Sequence, residues 1–138
     1  MSRLMSVALT EQAVTERRKT VTRRLGWWED KNGRRILKPG DRLTLCRKVM
    51  GRKAGEPLVR VAEVEVVDVR REPLNAITAD DVAREGFGDR GTNGAPWFVG
   101  FFTEEMRCAE DVTVTRIEWR YLDTEPTARP VADVVVSL

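Results

Sequence analysis

Apolar and polar residues alternate over several short stretches, and a helical repeat runs through one longer stretch, so the chain predicts more strands than helices. Leu4 to Leu9 is short, apolar and free of Gly or Pro, and predicts a first strand. Thr10 stands as N-cap of a short helix over Glu11–Arg17, with Ala13 and Val14 facing inward. Thr20-Val21-Thr22 is β-branched and predicts a brief strand or its approach. Turns are marked by Lys31-Asn32-Gly33 and more strongly by Lys38-Pro39-Gly40-Asp41, after which Arg42 to Arg47 alternates as a strand does. A second turn region, Gly51 to Pro57, leads into Leu58–Val69, a valine-rich run expected to be bent or bulged, with Glu63 and Glu65 on its outer face. Thr78 caps a helix over Ala79–Arg84, where Asp80 and Asp81 suit the positive N-terminal end, and Gly86 stops it. The polar, glycine-rich stretch Gly88–Gly94 is a candidate lid. Ala95–Met106 predicts a helix, with Trp97, Phe98, Phe101 and Phe102 at core spacing. Val112 to Leu122 is a long alternating strand, and Val131 to Val136 a last short one.

Five or six strands with about three short helices, in mixed order, predict an α+β fold built on a small twisted sheet or mixed β-barrel. Regular β-α-β alternation is missing, which argues against Rossmann and TIM folds. At 138 residues the length predicts one domain. Residues 1–122 would form it, and 123–138 would be a C-terminal extension adding a last strand. Hydrophobic residues at 41% and charged residues at 33% fit a globular chain rather than a disordered one. No apolar run approaches the ~20 residues a membrane helix needs, so no membrane partner is predicted. The first residues lack the apolar core of a signal peptide, and the expected location is the cytoplasm.

Composition narrows the chemistry further. The chain has no histidine, which excludes His-based triads and the commonest zinc sites. Cys46 and Cys108 are far apart and lack a CxxC companion, so they read as two buried thiols of a reducing compartment, with no metal expected. Net charge is +2, yet residues 1–60 carry +10 and residues 61–138 carry −8. Such a split either gives the fold a basic face for a polyanion or is mixed away by ion pairs between the halves.

The densest feature is Arg17-Arg18-Lys19-Thr20-Val21-Thr22-Arg23-Arg24. Arginine forks and threonine hydroxyls at a helix–strand junction fit a phosphate or nucleotide pocket; a solvated basic stretch is the plainer alternative. Lys19 and Thr22 are an odd interval apart, so strand alternation separates them unless Lys19 sits at the bend before the strand. Thr is a poor nucleophile without a base, and a neutral lysine can serve as one if burial and the neighbouring Arg18, Arg23 and Arg24 depress its pKa. Trp27-Trp28 is a candidate base-stacking pair, with core packing or a hydrophobic rim as the plainer reading. Arg47 and Lys48, with Arg52 and Lys53, extend the basic surface over a loop.

The segment 18–24 resembles the Gly-x-Lys-x-x-x-x-Arg signature of ASCH domains, small barrels related to PUA RNA-binding modules. Leu37-Lys38-Pro39-Gly40-Asp41-Arg42-Leu43 is similar to that family's turn into a core strand. Ala83-Arg84-Glu85-Gly86-Phe87 is similar to its helix-ending Glu-Gly-Phe, and Val114-Thr115-Arg116-Ile117-Glu118-Trp119 to its closing strand. Arg18 stands where the family carries glycine. The likeness, over residues 4–122, implies a PUA-like barrel whose cleft receives a nucleoside or an RNA or DNA nucleotide, with no cofactor. One bacterial branch hydrolyses N4-acetylcytidine with a Lys, a Thr three residues later and a Glu on the distal helix, which match Lys19, Thr22 and Glu85. Glu85 would then orient Lys19 or relay a proton, and Arg24 is the candidate oxyanion stabiliser. The Lys and Thr roles are interchangeable at this level. A non-catalytic RNA- or DNA-binding regulator, or a metal-independent ribonuclease, stays open beside the amidohydrolase.

Overall fold

A computed structural model describes residues 2–123. The chain runs through β1 (Arg3–Ser6), α1 (Glu11–Thr15), β2 (Val21–Arg24), β3 (Arg42–Cys46), β4 (Arg60–Pro73), α2 (Ala79–Val82), α3 (Gly94–Met106) and β5 (Thr113–Tyr121). The strands form one sheet in the order β1-β3-β4-β5-β2, with β1 parallel to β3 and every other pair antiparallel. The sheet curls into a half-barrel, an α+β fold as the alternation predicts. The expected strand over Val131–Val136 lies outside the described residues. Among those described, no helix is long and apolar enough to cross a membrane.

Alternation along β5 divides the core in two. Ile117 and Trp119 point into the half-barrel with Met5, Leu43, Leu45, Val64 and Val66. Val114, an odd number of residues from both, points to the other face and packs with Leu74, Val82, Phe98 and Phe102, under α2 and α3. The bend expected in the valine run is a bulge: Val66 pairs with Trp119 and Asp68 with Glu118, leaving Val67 as the extra, exposed residue. Nothing in the sheet order pairs β1 with β2, yet Nη2 of Arg24 donates to the Ser6 carbonyl at 2.6 Å and joins the two edges.

Several local expectations need correction. The first strand stops at Ser6, because Ala8–Thr10 tightens into a 3-10 turn. The Thr10 side chain caps nothing, and α1 ends at Thr15. The chain then reverses through Arg17, at φ 60, while the Arg18 N–H bonds the Ala13 carbonyl at 2.7 Å. The backbone position that favours glycine is thus Arg17 and not Arg18. Glu63 does not face outward: it is 3% exposed and accepts from Thr44 Oγ1 at 2.6 Å. Thr78 does cap α2, accepting from the Asp81 N–H. The stretch 88–94 carries a 3-10 turn at Gly91–Asn93, and Asp89 accepts from the Gly91 N–H at 2.9 Å.

From α2 the chain passes without a break into a wider π-turn, Ala83–Phe87, whose Gly86 sits at φ 105. A Cβ there would lie 2.9 Å from the Ala13 Cβ, so both backbone and packing demand glycine. Gly86→Ala is expected to lower unfolding free energy by about 1–3 kcal/mol, read from urea denaturation against wild type. An unchanged midpoint would show that the turn relaxes.

Candidate functional site

A cavity of about 270 Å³ opens where the edges of β1 and β2 approach each other, beneath α3. One end is polar, formed by Lys19, Thr22, Arg23, Arg24 and Glu85. The other is mostly apolar, formed by Phe87, Phe98, Phe101 and Phe102, with Leu9 and Met106, 73% and 45% exposed, and Glu105 on the lining as well. An apolar body with convergent polar groups at one end is the usual form of a small-molecule site.

Lys19 lies two residues before β2 begins and two after the reversal at Arg17, outside the regular alternation of the strand that carries Thr22. Its carbonyl accepts from Trp119 Nε1 at 3.0 Å and Tyr121 Oη at 2.5 Å, so β5 fixes its backbone. The buried amine donates to the Glu85 carbonyl at 2.8 Å and to Glu85 Oε1 at 3.2 Å. Burial pulls the Lys19 pKa below the ordinary lysine value; the Glu85 carboxylate opposes the shift, while Arg24 and Arg23 add to it. Thr22 follows on the strand, and its Oγ1 accepts from Arg24 Nε at 3.3 Å.

Glu85 bridges two cations. Its Oε2 accepts from Arg23 Nη1 at 3.2 Å, and Arg23 Nη2 continues to Glu72 Oε2 at 2.8 Å and Asp81 Oδ2 at 2.5 Å. Arg116 closes the cluster with a two-pronged contact to Asp81, at 2.7 and 3.1 Å. Burial alone would raise the Asp81 pKa, but the hydrogen bonds and charges of Arg116 and Arg23 hold it well below the usual carboxylate range. Arg23 Nε is buried and has no hydrogen-bond partner among the described residues.

The structure therefore brings Lys19, Thr22, Arg23, Arg24 and Glu85 to one cavity and leaves other candidates off its lining. Arg18 is exposed and bonds Glu16 at 2.7 Å. Arg47 grips Glu11 with two bonds of 2.8 and 2.9 Å, and Lys48 approaches Glu56 at 3.6 Å. Trp27 and Trp28 pack against the half-barrel core. Arg116 is 3% exposed, and Asp81 does more than start a helix. Both were hidden from sequence reasoning because ion pairing between distant elements leaves no local pattern. Charges of the two sequence halves are mixed at this cluster, where Lys19 and Arg23 meet Asp81 and Glu85. Among the described residues, no group of three or more Cys, Asp or Glu is placed to hold a metal ion.

No family model and no curated protein matches the sequence. Solved structures do match. The chain is similar to the ASCH domain from Lactobacillus crispatus JV V101, with 17% identity over 86% of this chain and 79% of that one, at a TM-score of 0.56. It is also similar to ASCH from Zymomonas mobilis, with 12% identity over 98% and 93% of the two chains, at a TM-score of 0.52. The half-barrel with its helical cover is an ASCH-like fold.

Asp81 tests the cluster. Its depressed pKa means the stabilisation is present above the unfolded carboxylate value of about 3.9 and is lost as pH falls below it. Asp81→Asn is expected to lower stability at pH 7 by about 3–5 kcal/mol, since two buried guanidinium groups lose the one carboxylate they share. The gap from wild type should narrow as urea midpoints are taken from pH 5 down to pH 3. A constant gap would mean that Asp81 carries no charge-dependent stabilisation.

Proposed function

We propose that the cavity binds a cytosine nucleoside acylated on its exocyclic N4 and hydrolyses that amide. The observation that carries this reading is the convergence of Lys19, Thr22 and Glu85 on one cavity, with the lysine amine buried and held by the glutamate. The aromatic wall offers faces for a planar base, and in this reading the amide to be cut is assigned to the polar end.

In this mechanism a neutral Lys19 takes the Thr22 hydroxyl proton as Oγ1 adds to the acyl carbon, and the carbonyl electron pair moves onto oxygen. The Arg24 N–H already directed at Oγ1 stabilises charge on the nucleophile before addition. Collapse breaks the carbon–N4 bond, and the Lys19 ammonium returns its proton to the departing nitrogen, which leaves as the free amino group. Water then adds to the Thr22 ester, losing a proton to Lys19. Collapse breaks the bond between the acyl carbon and Oγ1, Lys19 returns that proton to Oγ1, and the carboxylic acid departs with the hydroxyl and the neutral amine restored. Glu85 orients Lys19 throughout and does not touch substrate.

A second reading rests on the same contact: Lys19 directs its amine to Glu85 rather than to Thr22, as suits a binding pocket without turnover. Release of cytidine from N4-acetylcytidine, followed by chromatography, separates the two. Lys19→Met and Thr22→Val should each reduce release at least about 100-fold, and Thr22→Ser should retain much of it. The rate should rise with pH through a Lys19 pKa below the free-lysine value of about 10.4, because the deprotonated amine is the base. Binding of the nucleoside without release at any pH would favour the pocket without turnover.

A further inference from the structure

Two neighbouring rows of residues cross β2, β5 and β4, and their chemistry is opposite. In one row Arg23 pairs with Arg116, which pairs with Arg70. Each of these arginines is neutralised: Arg23 by Glu72, Asp81 and Glu85, Arg116 by Asp81 and Glu118, and Arg70 by Asp68 and Glu72. In the next row Arg24 pairs with Thr115, which pairs with Arg71. Directly paired residues share a face, so Arg24, Thr115 and Arg71 all project to the other side of the sheet. There, among the described residues, neither Arg24 nor Arg71 makes an ion pair with a carboxylate.

Among the described residues, this second row is held in place without being neutralised. Arg71 donates to the buried Thr115 hydroxyl at 3.1 Å and to the Thr113 carbonyl at 3.4 Å. Its guanidinium carbon lies 5.8 Å from the centre of the Trp28 ring, and that of Arg35 lies 3.3 Å from the same centre. Trp28 is itself packed on the half-barrel core and so forms a rigid platform. Arg35 makes no ion pair among the described residues either. Cation–π contact orients both guanidinium groups but leaves their charges adjacent and, among the described residues, uncompensated. One end of the row, Arg24, lines the cavity. The other end is exposed.

We infer that Arg71 and Arg35, braced by Trp28, grip the phosphodiester backbone of a single-stranded polynucleotide whose acylated base enters the cavity. This deepens the proposed function and rests on it for the identity of that base. A fixed arginine fork without a carboxylate matches phosphate oxygens. The cavity takes a base edge-on behind the Arg24 end of the row, which requires the base to be unpaired. A polymer substrate also accounts for cations that a free nucleoside, which carries no phosphate, would leave unused.

The test uses a dye-labelled ten-nucleotide RNA carrying one N4-acetylcytidine, its DNA counterpart and the free nucleoside. Binding is read by anisotropy for the oligonucleotides and by calorimetry for the nucleoside, across a sodium chloride series. The oligonucleotide should bind at least about tenfold more tightly than the nucleoside at low salt. The double variant R35A/R71A should weaken it on the order of tenfold and flatten the log–log salt slope by about 1.4, from two lost single-strand phosphate contacts. R70A, in the neutralised row one residue away, should change neither. Comparable binding of RNA and DNA would assign the grip to phosphate alone, and an RNA preference would add the ribose hydroxyl; both support the inference. Oligonucleotide binding no tighter than nucleoside binding, or unaltered in the double variant, overturns it. Cytidine release from the free nucleoside, measured in the same variants, separates the two proposals. Release without oligonucleotide affinity removes the polymer and keeps the hydrolase, whereas arginine-dependent oligonucleotide binding without release does the reverse.

Discussion

Placing the Arg23 guanidinium inside the protein constrains everything around it. A buried cation of this kind is tolerated only when carboxylates surround it, and breaking such a group leaves an uncompensated charge that costs about 3–5 kcal/mol. Asp81, Glu72 and Glu85 meet that requirement from two different elements, β4 and the α2–π-turn segment. The α2 segment is only four residues long and could not hold its position by helix propensity. Its place on the sheet is set by Asp81 between Arg23 and Arg116, together with Val82 in the outer core. Once α2 is fixed, the π-turn delivers Glu85 to Lys19. The geometry of the candidate site is therefore a by-product of charge neutralisation one layer below it.

Strand alternation then gives adjacent arginines unrelated tasks. Arg23 turns toward α2 and is consumed by structure. Arg24 turns into the half-barrel, touches Thr22 and Ser6, and keeps its charge available to the cavity. A dense run of cations in sequence thus separates into an ion-paired row and one that, among the described residues, has no carboxylate partner, simply because successive strand residues face opposite ways. The same partition explains why the +10 of the first sixty residues does not make one uniform basic face.

The sheet was largely legible in the sequence because its strands are β-branched and alternating, and the turns between them carry Gly, Pro or Asn. The bulge at Val67 was foreshadowed by a valine run that breaks strict alternation. Lys19, Thr22 and Glu85 stood out by residue type and by resemblance, and their shared cavity was conditional on a bend at Lys19 that the turn through Arg17 supplies. What stayed hidden has a common cause. Asp81, Arg116 and Glu63 read as helix-start or surface residues, since their burial depends on partners 19 to 58 positions away. The aromatic residues of α3 read as core, and Phe98 and Phe102 are; the cavity they also line exists only because the sheet edges fail to meet there.

That unmet edge has a mechanical meaning. Most small barrels close by a ladder of backbone hydrogen bonds, and opening one means breaking several bonds together. Here the described strands are joined across the gap by a single side-chain bond from Arg24 to Ser6. Rotation about the torsions of one arginine can part this seam while every strand pairing stays intact. Access to the interior is thereby decoupled from the stability of the sheet, so the protein can breathe at its site without beginning to unfold.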